Sequence, residues 1–112
     1  MDTMLKEAIA SLFCYVIKEG GRNVDTQRAI FCRFMQQNFK ESSCETLMEL
    51  YEETLTKVYN IDTQISIIAN GLSQKTYEKV TILKQVKYLV SSNNPRQGEY
   101  AIVDKLKIAL EL

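Results

Sequence analysis

The stretch Lys79-Val80-Thr81-Ile82-Leu83-Lys84-Gln85-Val86-Lys87-Tyr88-Leu89-Val90 decides the fold of this chain. Its opening, Lys79 to Leu83, has the composition of a β-strand, rich in β-branched residues. Its full length argues for a helix. Val80, Leu83, Val86 and Val90 recur three and four residues apart, with Ile82 and Leu89 on a flank, and the pattern outlasts a typical strand. The segment reads as a helix begun by Ser73. Apolar around most of its circumference, it is expected to be the most buried helix of the protein.

The same periodicity extends in both directions. Upstream, Ile65, Ile68, Ala69 and Leu72 form one face of a short helix capped by Asp62 and closed at Gly71. Before it, Ser42-Ser43-Cys44-Glu45 reads as a capping box between Ser42 and Glu45. The helix it opens turns Leu47, Leu50, Tyr51, Thr54, Leu55 and Val58 inward. Near the N-terminus, Leu5, Ala8, Ile9, Leu12, Phe13, Val16 and Ile17 share a face, opposite Lys6, Glu7, Ser11 and Lys18. Gly20-Gly21 stops that helix, and Asp25 is placed to cap the next, with Ala29, Ile30, Phe31, Phe34 and Met35 as its stripe. Downstream, a turn around Pro95 leads into a last helix with Ile102, Val103, Leu106, Ala109 and Leu110 inward. Six helices joined by short turns predict an all-α bundle. Its 112 residues suit one domain, residues 1–112. The pattern is still helical at Leu112, so the domain is expected to be the N-terminal part of a longer protein, although a short protein ending on its last helix would look the same.

Composition excludes several function classes. The chain has no histidine, which removes histidine-based triads and acid–base catalysis, and no Gly-rich loop ending in Gly-Lys-Ser/Thr. No enzymatic activity and no cofactor are expected. Cys14, Cys32 and Cys44 are odd in number and widely spaced, and read as buried free thiols. No apolar run approaches the roughly 20 residues of a membrane span, and no signal pattern opens the chain, so a cytoplasmic location is expected.

Fourteen basic and fourteen acidic residues cancel, which gives no global pull toward nucleic acid. The distribution is uneven: residues 40–62 carry a net −4 and residues 73–112 a net +3. Glu45, Glu49, Glu52 and Glu53 fall on one helix face, and Lys75, Lys79, Lys84 and Lys87 supply the basic counterpart. Such polarity suits a protein partner or head-to-tail association between copies, against the simpler reading of solvated helix faces. Tyr77, Tyr88 and Tyr100 lie near the cations, either as rim packing or as an interaction surface.

The chain also echoes itself at an offset of 72 residues. Val16-Ile17 matches Tyr88-Leu89, Gly21 matches Asn93, and Ile30, Phe31 and Phe34 match Ile102, Val103 and Leu106. Each copy is helix, polar turn, helix. On this double hairpin the chain resembles the TerB-like superfamily of all-helical tellurite-resistance domains, over essentially its whole length. The stretches Leu5-Lys6-Glu7-Ala8-Ile9-Ala10-Ser11-Leu12-Phe13, Phe34-Met35-Gln36-Gln37-Asn38-Phe39 and Leu72-Ser73-Gln74-Lys75 are similar to TerB-like domains that precede a bacterial ABC-type ATPase. That resemblance implies a non-catalytic regulatory or adaptor domain. Its partner would be a downstream ATPase domain in cis or a protein in trans, and any membrane association would be peripheral and through partners. It also implies an alternative, a divalent-metal sensor using acids of the hairpin turns. Here Gly21 and Arg28 replace two of the family's acids, which leaves Glu19, Asp25, Glu99 and Asp104 as the candidate ligands.

Overall fold

The N-terminal stripe forms helix α1, Thr3–Glu19, and it is α1 that occupies the centre of the bundle. Every residue from Ala8 to Cys14 is buried, so the helix is enclosed on all sides. Its one polar member, Ser11, meets that burial by donating its hydroxyl to the Glu7 carbonyl at 2.9 Å. The other five helices all pack on α1: α2 (Val24–Phe39), α3 (Cys44–Thr56), α4 (Ile61–Gly71), α5 (Thr76–Ser91) and α6 (Gln97–Ala109). The computed structural model describes residues 3–19, 24–40, 43–91 and 97–112, leaving aside the side chains at 19, 24–27, 91 and 97–100. Among the described residues there is no strand. The radius of gyration, 12.8 Å, is that of a compact unit of this size.

The all-α reading therefore holds, and residues 79–90 lie within the 16-residue α5. α5 is not the most buried helix, however: Tyr77 and Tyr88 are 69% and 62% exposed. Apolar residues around a circumference are not a measure of centrality. α1 owes its place to the neighbours that converge on it.

The helix ends differ in detail from the sequence reading. Ser43, not Ser42, caps α3, accepting from the Thr46 N–H at 3.2 Å. Asn60, not Asp62, caps α4 through a 3.1 Å bond from the Thr63 N–H. Asp62 sits in the first turn, where its charge suits the helix dipole. α5 begins at Thr76 rather than Ser73, after a turn closed by the Lys75 N–H on the Leu72 carbonyl at 2.9 Å. α2 begins at Val24, so Asp25 lies within its first turn rather than before it. α3 stops at Thr56, and Val58, expected inward, is fully exposed beyond its end.

The largest correction concerns the cysteines. Cys32 of α2 and Cys44 at the start of α3 form a disulfide, with Cα atoms 5.5 Å apart; only Cys14 is free. An odd count does not prevent pairing when two helices run side by side.

Aromatic rings fill the space between α1, α2 and α3. The Phe13 ring lies 5.5 Å from that of Phe31 and 5.0 Å from that of Phe34, and Phe31 lies 5.6 Å from Tyr51. One apolar core draws on all six helices. The two hairpins of the sequence echo, α1–α2 and α5–α6, each pack helix on helix. Ile17 and Leu89, Phe31 and Val103, and Phe34 and Leu106 are buried in both copies, whereas buried Val16 corresponds to exposed Tyr88. Gly21 and Asn93 lie outside the described residues.

Candidate functional site

α2 and α5 leave a groove between them. Phe34 and Asn38, one turn apart on α2, form one wall. Tyr77, Thr81, Lys84 and Tyr88, three and four residues apart along α5, form the other. These residues bound a hollow of about 510 Å³. A second hollow, of about 310 Å³, shares Phe34, Asn38, Gln85 and Tyr88 with it and extends the trough past Arg33 and Gln37. A third, of about 370 Å³, adjoins at Asn38 and is bounded by Leu5, Phe39, Lys40, Lys75 and Glu78.

Local bonds fix the walls. Asn38 donates its side-chain amide to the Phe34 carbonyl at 3.0 Å, and the Thr81 hydroxyl donates to the Tyr77 carbonyl at 2.8 Å. Both polar groups are thereby turned back on their own helices. The α2 wall is apolar at Phe34, which is buried and continuous with the Phe13 cluster. Arg33 and Lys84 bring positive charge to the trough, and among the described residues no carboxylate lines either of its first two hollows.

The expected basic residues separate accordingly. Lys84 lines the trough and Lys75 the adjoining hollow, while half-buried Lys79 and exposed Lys87 line neither. The four glutamates occupy a different region. Glu45, Glu49, Glu52 and Glu53 are all exposed along α3, and Glu52 pairs with Arg28 at 2.9 Å. At the end of α3, Lys18 donates to the Leu55 carbonyl at 3.0 Å, a cation well placed at a helix C-terminus.

Of the candidate metal ligands, Asp104 is exposed, and the side chains of Glu19, Asp25 and Glu99 lie outside the described residues. Among the described residues no three acidic or cysteine side chains gather around a common point. Burial pushes the Cys14 thiol up to about 12, an effect that nearby Lys18 only partly opposes. Cys14 is thus a protonated core residue, 3.8 Å from the Tyr51 carbonyl, without nucleophilic character at neutral pH. No helix among the described residues is long and apolar enough to cross a membrane.

Sequence reasoning singled out Lys84, Tyr77 and Tyr88 but missed the α2 wall, Arg33, Phe34, Gln37 and Asn38. Nothing in the sequence announces that α2 lies beside α5. Compared with known protein families, curated proteins and solved structures, the chain finds no match.

Proposed function

We propose that this chain is a non-catalytic regulatory or adaptor domain that binds protein through the α2–α5 trough. The observation that carries this reading is the pair Tyr77 and Tyr88, both largely exposed, standing on one wall of a trough whose other wall includes Phe34. Tyrosine offers a large rigid surface with a polar tip, and it is enriched where proteins meet. A helix or extended segment fits such a trough with apolar anchors between the rings and polar contacts at the rim. The TerB-like resemblance favours the same role, with an ATPase domain of the same chain or a protein in trans as the partner. The alternative, a divalent-metal sensor, would use Glu19, Asp25, Glu99 and Asp104, of which only the Asp104 side chain is among those described.

The test is affinity capture from cells with the wild-type protein and with the double variant Tyr77→Ala/Tyr88→Ala. Both side chains are exposed, so the helical circular dichroism of the variant should equal that of the wild type. Loss of a protein captured by the wild type supports the reading. Identical captured sets, or no captured protein with either form, further copies of the chain itself included, overturn it.

A further inference from the structure

We infer that the occupant of the trough is a second copy of this chain, docked by the exposed face of its α3. This inference rests on the reading of the trough as a docking surface and names its partner.

Charge is the first argument. Arg33 and Lys84 are the charged residues lining the trough. Glu45, Glu49 and Glu53 stand exposed on α3 and make no ion pair among the described residues; only Glu52 is engaged, by Arg28. Among the described residues the molecule thus displays a positive trough and a negative ridge, of whose glutamates only Glu52 has a counter-charge in the chain. Because the total charge is zero, two copies approach without net repulsion, and the complementary patches orient the encounter.

Dimensions agree. At about 1.5 Å per residue, Tyr77 to Tyr88 spans about 16 Å of α5, and Glu45 to Glu53 spans about 12 Å of α3. The ridge is therefore shorter than the trough wall it would lie along. Just past the end of α3, Val58 is a fully exposed apolar side chain that has no role in its own core. Seated against an exposed tyrosine ring, it gives the contact an apolar anchor beside the ion pairs. The two surfaces differ, so the association is head-to-tail.

Sedimentation of the full chain over a hundred-fold concentration range, at low and high salt, tests the inference. The expected result is a mass that rises above the 12.9 kDa monomer with concentration, and less so at high salt. Lys84→Glu and Glu49→Lys, both at exposed positions, should each weaken self-association at least about ten-fold, since each sets like charges face to face. Mixing the two variants should restore association, because the unaltered ridge of Lys84→Glu meets the unaltered trough of Glu49→Lys, and the two altered surfaces are again opposite in charge. A wild type monomeric throughout, or association untouched by both reversals, or no recovery on mixing, overturns it. The docking reading has a separate fate. If the wild type is monomeric while Tyr77→Ala/Tyr88→Ala still abolishes capture of another protein, the trough docks a different partner and only this inference falls.

Discussion

Cys32 and Cys44 are covalently joined across the α2–α3 connection, 12 residues apart in sequence and 5.5 Å apart at Cα. The bond ties the first turn of α3 to the middle of α2, next to Arg33 and Phe34 of the trough. A link of that loop length removes unfolded-chain entropy worth about 3 kcal/mol at room temperature. The double variant Cys32→Ala/Cys44→Ala should retain its helical spectrum and lose about 2–3 kcal/mol in urea unfolding. Reductant should produce a similar loss in the wild type and none in the variant. An unfolding midpoint indifferent to both changes would show that the bond does not form in solution.

The end of α2 contains a second local feature. Lys40 follows Phe39 with φ of 56°, in the left-handed region, and its side chain is exposed. A residue with a Cβ is held there at a cost of about 1–2 kcal/mol, which glycine escapes, though glycine also gives the unfolded chain more freedom. The first effect exceeds the second. Lys40→Gly should raise stability by about 0.5–1 kcal/mol, whereas Lys40→Val should lower it. Thermal melts of the two variants settle the sign.

These features show where sequence reading stops. The spacing of Val80, Leu83, Val86 and Val90 was enough to name a helix, because periodicity is local. The rank of α1 over α5 was not legible, since Ser11 reads as a surface residue until its hydroxyl is seen bonded to Glu7 within a buried helix. Val58 continued the apolar stripe of α3 on paper, but the helix ends two residues earlier, at Thr56. The trough was half legible. Tyr77, Lys84 and Tyr88 are one helix's pattern, whereas Arg33, Phe34 and Asn38 join them only through the packing of α2 beside α5.

The free thiol gives a pH signature. In the fold, Cys14 ionises at about 12, against an ordinary value of 9.0, because burial disfavours the thiolate. A raised value means that the folded state holds its proton more tightly than the unfolded chain does. The associated stability is therefore complete below about pH 9 and is lost as pH climbs from 9.0 toward about 12. The wild type should lose more stability between neutral and strongly alkaline pH than Cys14→Ala, whose unfolding lacks this proton release. Parallel pH profiles for the two proteins would refute the assignment. Native Cys14 should also resist alkylation until the protein unfolds.

Gly71, the last residue of α4, lies against Leu5 of α1, and a Cβ built on it would sit 2.9 Å from Leu5 Cδ1 and 3.1 Å from Cδ2. Two effects compete in Gly71→Ala. Alanine is favoured over glycine in a helix by about 1 kcal/mol, less at a helix end, while the new methyl must displace a core side chain. Leu5 has somewhere to go. Its isobutyl end borders the hollow of about 370 Å³ beside Asn38 and Phe39, so a shift toward that space relieves the overlap. The expected net change is within about 0.5 kcal/mol for Gly71→Ala, but a loss of about 1–3 kcal/mol for Gly71→Leu, whose bulk exceeds what Leu5 can yield. Leu5→Ala supplies the control. It removes the obstructing atoms, so Gly71→Leu should cost less in that background, with a coupling of about 1 kcal/mol or more in a double-mutant cycle. Additive effects at the two positions would mean that α1 and α4 do not meet through this pair.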